Sequence, residues 1–176
     1  MGQFRLLRSL VARKHKLEER QNMKVNPIPE GCHSITPYLL VPDVGRLIEF
    51  LKRAFDAVER EKIARPNGTI LHAQVKIGDS ILMIGEPQSP YKPLPTMLYL
   101  YVADVDATFK QALAAGAVST SEPADMFYGD RSASVKDVAG NTWWIATHKE
   151  ELTTEEIQER ATEFFKKMAA KPAAES

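Results

Sequence analysis

The stretch PYLLVPDVGRLIEFLKRAFDA, residues 37–57, decides the fold, because residues 98–117, LYLYVADVDATFKQALAAGA, repeat its pattern 61 positions later. Each copy begins with alternating apolar residues, which is typical of a strand, and continues with apolar residues at helical spacing. Between the two parts lies a V-x-D-V motif, with Asp43 and Asp104 at equivalent places. An aspartate there accepts the free amides of a first helical turn, so each copy predicts a strand followed by a capped helix.

Three further strands are predicted after each helix. In the first copy, PNG at 66–68 and GDS at 78–80 mark two turns between alternating segments. In the second copy, the segment 128–148 contains two strands, with the turn DVAGNT between them. Each copy therefore reads β-α-β-β-β. The repeat predicts an α+β fold of paired βαβββ modules that form a curved mixed sheet around a concave space, with additional helical segments at both ends.

The chain divides into five predicted regions. They are a basic N-terminal arm (1–30), a first module (34–87), a proline-rich linker (88–95), a second module (96–149) and a C-terminal amphipathic helix with its tail (150–176). Thr153 and Glu156 have the spacing of a capping box at the start of that helix. The arm has three interpretations: a disordered or non-native extension before Met23, an amphipathic helix on a membrane surface, or an organelle presequence.

Composition argues against some classes of function. The 176 residues hold 23 Lys and Arg against 23 Asp and Glu, and a zero formal charge argues against a nucleic-acid binder. The sequence has no uninterrupted apolar run of the length that a transmembrane segment needs, so we predict none. Cys32 is the single cysteine, so an intrachain disulfide is impossible, and we expect a reducing, cytoplasmic location.

The two modules resemble the vicinal oxygen chelate superfamily, which includes glyoxalase I, bleomycin- and fosfomycin-resistance proteins and extradiol dioxygenases. The resemblance rests on the paired modules, the two V-x-D-V turns and the closing G-N-T-W-W string, and it covers residues 34–154. The segment 126–148 is more narrowly similar to the PhnB-like, glyoxalase-like branch. Half-barrels of this superfamily often join across subunits, so the resemblance implies a homodimer. It does not identify a reaction, because one fold serves many functions.

Four strand positions hold the metal ion in the metal-dependent relatives, and the resemblance implies where these positions fall in this chain. They correspond to Thr36, Met83, Met97 and Trp144. A hydroxyl, two thioethers and an indole are not the usual ligands of a hard or borderline divalent ion. We therefore predict no cofactor and no metal at these positions. A divalent metal held by other residues stays an open alternative.

The same correspondence predicts a concave aromatic pocket. Adjacent residues of a strand point to opposite faces, so we expect Trp144 to face the cavity and Trp143 to face the helices. The residues predicted to bind a ligand are Thr36, Tyr38, Met83, Met97, Tyr99, Tyr101, Tyr128, Arg131 and Trp144. Arg131 has two interpretations, as the holder of a carboxylate or phosphate or as the local partner of Asp130 in the turn. Methionine and aromatic residues at this period also serve as ordinary core packing.

His72 and Glu86 are the candidate catalytic residues. His72 is the one histidine inside a predicted strand, and imidazole groups exchange protons near neutral pH. Glu86 ends the fourth strand and is its expected partner. The alternative is a half-buried histidine bonded to a backbone group, without a catalytic role.

Three functions are compatible with these observations. The first is a metal-free protein that binds a small organic molecule in a concave aromatic pocket. The second is a lyase, isomerase or dioxygenase with a non-standard site around His72, Glu86 and Arg131. The third is a non-catalytic dimeric module assembled through the end segments. The aromatic lining and the missing ligand set favour the first.

Overall fold

The computed structural model of the protein describes residues 25–170. The chain divides into two compact units, Met1–Ser34 and Ile35–Ser176, and every strand and helix named below belongs to the second. Residues 1–24 of the predicted basic arm, with any helical segment there, lie outside the described part. Within residues 25–170, no helix combines the length and the apolar character that a membrane span requires.

The first module has the predicted order of strand, helix and three strands. Its elements are β1 (Tyr38–Leu40), α1 (Val44–Phe55), β2 (Val58–Ala64), β3 (Ile70–Ile77) and β4 (Ser80–Gly85). The strands form a four-stranded sheet in the order β1-β4-β3-β2. β1 pairs with β4 in parallel, and the other neighbours are antiparallel. The helix crossover is what allows the first strand to run parallel to the last.

The second module repeats this arrangement. Its elements are β5 (Met97–Tyr101), α2 (Val105–Ala114), β6 (Val118–Asp125), β7 (Asp130–Lys136) and β8 (Thr142–His148). The sheet order is β5-β8-β7-β6, again with one parallel pair and two antiparallel pairs. The paired βαβββ modules and the α+β class predicted from the repeat are confirmed. The strands form two separate four-stranded sheets in the described residues.

Both helices begin as the repeated motif predicts. Asp43 Oδ1 accepts a hydrogen bond from the Arg46 amide at 2.9 Å, and Asp104 Oδ1 accepts one from the Ala107 amide at 3.0 Å. Each carboxylate satisfies an amide that has no partner within the helix. The V-x-D-V motif therefore ends a strand and starts a helix in both modules.

The two modules join through their helices. α1 contacts α2, and the buried rings of Phe55 and Trp143 meet across the junction with centroids 4.8 Å apart. Gln111 of α2 donates hydrogen bonds to the Arg53 carbonyl at 3.0 Å and to Asp56 Oδ1 at 3.1 Å, at the C-terminal end of α1. One continuous core results from this packing. We refer to the sheet faces that point away from the helices as the concave faces, the name that the sequence prediction gives them.

A C-terminal helix follows the second module, as predicted. α3 (Thr154–Ala169) begins with a complete capping box, in which Thr153 Oγ1 accepts from the Glu156 amide and Glu156 Oε2 accepts from the Thr153 amide. None of its residues is buried. The ring of Phe164 lies 5.3 Å from the ring of Phe127, in the turn before β7. The apolar face of α3 is therefore only partly covered within this chain.

Candidate functional site

The concave face of the second sheet carries a row of aromatic side chains. Strand register places Tyr99 beside Trp144 and Tyr101 beside Ala146. Trp144 is partly exposed on this face, whereas Trp143 is 3% exposed and packs against the helices. Alternation along β8 thus separates the two neighbouring tryptophans, as the residue pattern predicts.

Asp130 begins β7, beside the last residue of β8, and its carboxylate contacts three side chains on this face. Its Oδ2 atom accepts hydrogen bonds from the hydroxyls of Tyr99 and Tyr101, both at 3.1 Å. Its Oδ1 atom lies 2.8 Å from Nδ1 of His148. Asp130 is only 4% exposed, so these three bonds replace water around a buried carboxylate. We refer to Tyr99, Tyr101, Asp130 and His148 as the Asp130 cluster.

The charges of the Asp130 cluster follow from these contacts. Burial and the hydrogen bond that the Tyr99 hydroxyl donates to Tyr128 raise the pKa of Tyr99, and burial and the Asp130 carboxylate raise the pKa of Tyr101. Both phenols therefore stay protonated and act as donors at neutral pH. The Asp130 carboxylate raises the pKa of His148 by stabilising its imidazolium form, with a smaller contribution from Glu151. The cluster thus combines an anion with a histidine that is readily protonated.

The concave face of the first sheet carries a different set of polar groups. His72 Nδ1 lies 3.3 Å from the Tyr38 hydroxyl, and His72 Nε2 lies 3.4 Å from Nε2 of Gln74. Gln74 in turn donates to Glu61 Oε2 at 3.3 Å. Met83 pairs with Tyr38 in the register of β1 and β4, so its side chain shares this face. The polar groups of this face are therefore a phenol, an imidazole and an amide, together with the exposed carboxylate of Glu61.

A cavity of about 450 Å³ opens beside Tyr38. It is lined by Tyr38, Leu40, Leu71, Glu86, Gln88, Ser89 and Tyr91. The last three of these residues belong to the proline-rich linker between the modules or lie at its border. The volume is within the range of small-molecule sites, about 300–1,000 Å³.

His72 and Glu86 were expected to pair, but each has other partners in the structure. Glu86 Oε1 accepts from the Ile70 amide at 3.3 Å, and its Oε2 lies 3.5 Å from Nη1 of Arg65. His72 instead contacts Tyr38 and Gln74. Glu86 directly follows β4, and its contacts with the Ile70 amide and Arg65 hold it in the lining of the cavity.

Arg131 lies on the helix side of the second sheet. Its Nε and Nη2 atoms donate to the two oxygens of Asp106 on α2 at 2.7 and 2.8 Å, and its Nη1 atom donates to Asp125 at 3.1 Å. Arg131 and Asp130 are successive strand residues and point to opposite faces, so they take different partners. The guanidinium group that was expected to hold a ligand is therefore occupied by two carboxylates away from the concave faces.

The remaining predicted ligand-binding residues have different surroundings. Met97 and Tyr99 follow each other on one face of β5, and Met97 is 71% exposed. Thr36 precedes β1 and is partly buried. Tyr128 lies just before β7, where it contacts the ring of Phe127 and accepts a hydrogen bond from Tyr99. The aromatic residues predicted in the second module thus come together, and Arg131 does not join them.

The residues at the four expected metal positions do not fit a divalent ion. Thr36, Met83, Met97 and Trp144 offer a hydroxyl, two thioethers and an indole, none of which is a usual ligand of such an ion. In the described part of the chain, no group of three or more His, Cys, Asp or Glu side chains is arranged to hold a metal. We therefore derive no chemistry from a metal at these four positions.

The G-N-T-W-W string has a structural role. Oδ2 of the buried Asp137 accepts from Trp143 Nε1 and Asn141 Nδ2, and its Oδ1 accepts from the amides of Ala139 and Asn141, all at 2.8–2.9 Å. Asn141 Oδ1 then accepts from the Thr96 amide at 3.1 Å, next to β5. The turn thus fixes the orientation of Trp143 and, through the strand alternation, that of Trp144.

Two residues of the Asp130 cluster are absent from the candidates drawn from the sequence. Asp130 was considered only as a partner of Arg131, and His148 is not among the candidate residues. Strand alternation could have indicated both residues. Asp130 lies an even number of positions from Ser134 on β7, and His148 lies an even number from Trp144 on β8, so both share the face of Trp144.

Comparisons with known proteins agree with this architecture. The family model described as "Glyoxalase/Bleomycin resistance protein/Dioxygenase superfamily" matches residues 31–145. The uncharacterized protein Rv0887c of Mycobacterium tuberculosis is 31% identical over 159 residues, covering 84% of this chain and 91% of its own.

Two solved structures are similar in fold. TioX from Micromonospora sp. ML1 superposes with a TM-score of 0.59 at 27% identity, covering 66% of this chain and 98% of its own. The PhnB protein of Bacillus cereus has a TM-score of 0.53 at 16% identity, covering 65% and 99%, and shows the fold alone.

Proposed function

Because this chain belongs to the Glyoxalase/Bleomycin resistance protein/Dioxygenase superfamily, we propose that it binds a small organic molecule on the concave faces of its sheets. The observation that carries the proposal is the exposure of aromatic side chains there. Tyr99 is 46% exposed, Tyr101 is 62% exposed, and Trp144 is partly exposed beside them. Covering such rings with a flat ligand removes apolar surface from water and adds stacking interactions.

The polar groups on the concave faces support specific binding. A ligand site is usually apolar, with a few fixed polar groups that orient the ligand. Asp130 supplies such a group in the second sheet, and His72 supplies one in the first. Met83 and Met97 add polarizable surface that adapts to a ligand's shape. A cytoplasmic location, favoured by the single cysteine, remains part of this proposal.

A homodimer would complete this site. The concave faces expose Tyr38 and Ile63 in the first sheet and Met97 and Tyr101 in the second. Exposed aromatic and aliphatic residues on one face are typical of an interaction surface. We expect light scattering to give twice the 19.7 kDa mass of one chain, independent of concentration in the micromolar range. A monomeric mass throughout that range would contradict the dimer and leave each face as a separate site.

Replacing Trp144 by alanine is expected to weaken the binding of aromatic ligands by roughly 30-fold, because loss of a central aromatic anchor costs about 2 kcal/mol. The ligands are found by thermal shift with a library of planar aromatic compounds, and their Kd values are measured by calorimetry. Phe165→Ala is the matched control, since Phe165 is an exposed aromatic residue on α3. Equal Kd values for Trp144→Ala and the unaltered protein would contradict binding at this face.

An enzyme with a non-standard site is the second candidate function. The contact of the buried Asp130 with His148 Nδ1 is the observation that favours it, because a carboxylate that orients an imidazole is a common acid–base arrangement. This alternative covers lyase, isomerase and dioxygenase chemistry. Turnover of a ligand found in the screen, lost in His148→Gln, would support it. Binding without turnover would support a binding protein.

A further inference from the structure

The concave face of the second sheet buries polar side chains beneath its aromatic ones. Asp130, Ser132 and Ser134 follow one another on the same face of β7, and each is at most 4% exposed. Ser134 has a partner, since its hydroxyl lies 2.7 Å from Thr120 Oγ1. Such a group of buried polar residues costs free energy unless all its members form hydrogen bonds.

Ser132 departs from this rule. Among residues 25–170, its Oγ atom is buried and has no hydrogen-bond partner. The register places Ser132 beside Ala146, and Ala146 beside Tyr101, in one row across the sheet. Asp130 is two positions away on the same strand. The small side chain of Ala146 therefore separates Tyr101 from the Ser132 hydroxyl, which lacks a partner and lies near the Asp130 carboxylate. Such a location favours a ligand with a hydrogen-bonding group.

The rings around this location favour a positive charge. The centroids of Tyr99 and Tyr101 lie 5.2 Å apart, with Trp144 next to Tyr99 in the register. Aromatic faces attract cations, and the attraction grows where water is excluded. The other charged groups of this region are Asp130, His148 and Glu151, with Lys136 exposed at the far end of β7. When His148 is neutral, Asp130 is the buried charge, and it is negative.

We propose that Asp130, Ser132 and the surrounding rings form a subsite for the protonated amine of an aromatic amine. This inference rests on the proposed small-molecule binding and names the ligand's chemical class. The ammonium group donates to the Asp130 carboxylate and to Ser132 Oγ, and the ligand's ring stacks on Trp144. The hydroxyls of Tyr99 and Tyr101 give up their bonds to Asp130 and leave their rings beside the cation.

His148 competes with such a ligand for Asp130. Protonated His148 neutralises the carboxylate through the 2.8 Å contact, whereas neutral His148 leaves its charge for the ammonium group. The carboxylate raises the pKa of His148, so this competition extends to a higher pH than for a free histidine. Binding of an amine therefore strengthens as pH rises through the pKa of His148, as long as the amine stays protonated. Tyr99 and Tyr101 remain neutral over this range, because burial and the Asp130 carboxylate raise the pKa of both phenols.

Three indoles that differ in charge test the subsite: tryptamine, tryptophol and indole-3-acetate, which are cationic, neutral and anionic. Calorimetry on the full chain at pH 8 is expected to show tryptamine binding at least tenfold more tightly than tryptophol, with the acetate weakest. The Asp130→Asn variant is expected to remove the preference for tryptamine, and Ser132→Ala to reduce it severalfold. Asp125→Asn is the control, because Asp125 is exposed and pairs with Arg131 on the other side of the sheet.

The pH dependence gives a second measurement that does not depend on the folding of Asp130→Asn. The affinity for tryptamine is expected to rise between pH 6 and pH 8 in the unaltered chain and to stay level in His148→Gln. Tryptophol is expected to show no such rise in either protein. Equal affinities for the three indoles, or the tightest binding for the acetate, would overturn the amine subsite while leaving aromatic binding intact. If none of the indoles and no compound of the aromatic library binds, the proposed function itself fails.

Discussion

Replacing Asp137 by alanine is expected to lower the free energy of unfolding by about 3–5 kcal/mol, measured by urea unfolding with tryptophan fluorescence. The carboxylate accepts four hydrogen bonds, from the amides of Ala139 and Asn141 and from the side chains of Asn141 and Trp143. A buried donor without a partner costs about 1–3 kcal/mol, and several lose theirs together. Reorientation of Asn141 would also release the Thr96 amide beside β5.

Two further variants separate the network from the loss of a negative charge. Asp125→Ala removes an aspartate whose side chain is 81% exposed, and we expect a change within about 1 kcal/mol. Asp137→Asn keeps one acceptor but points an amide at the donors of Trp143 and Asn141, so it should also be clearly destabilised. A stability of Asp137→Ala close to that of Asp125→Ala would show that the turn does not depend on this carboxylate.

Replacing Phe55 by alanine is expected to reduce the free energy of unfolding by about 3–5 kcal/mol, as for other large buried aromatic residues. Phe55 is 7% exposed and its ring contacts Phe50 in α1 and Trp143 in the second module. The cavity would open where the modules join, so both modules should lose stability together. Thermal and urea unfolding, followed by circular dichroism, measure the change.

The control for Phe55 is an aromatic residue outside the core. Phe165→Ala on α3 removes a ring that is 60% exposed, and we expect a loss of no more than about 1 kcal/mol. The contrary outcome is that Phe55→Ala unfolds in two steps, one of them at the denaturant concentration at which the unaltered protein unfolds. That result would show that the modules do not share a core. A single transition at lower denaturant concentration is the expected result.

Much of the fold can be predicted from local sequence because the signals are repeated. Asp43 and Asp104 mark the same strand-to-helix step in both modules, and each acts within three residues of its own position. The faces of Trp143 and Trp144 follow from strand alternation alone. Such features need no knowledge of distant contacts.

The polar part of the site depends on distant contacts and is less accessible to prediction. Arg131 finds its bidentate partner 25 residues away, in Asp106, so a local pairing with Asp130 was the natural alternative but not the one adopted. Asp130 itself bonds to Tyr99 and Tyr101, across a sheet in which β5 and β7 are separated by β8. Strand register and helix packing decide which of several nearby carboxylates Arg131 binds, and neither can be read from the residue types along the chain.

The joining of the modules through α1 and α2 has a consequence for how the protein can change over time. Each concave face rests on its own sheet, so substitutions on one face and on the other should have additive effects on folding. A duplicated scaffold of this kind can specialise one surface while the other keeps its earlier chemistry. The present contrast, with a histidine and a glutamine on one face and a buried aspartate among tyrosines on the other, is what such independent divergence would produce.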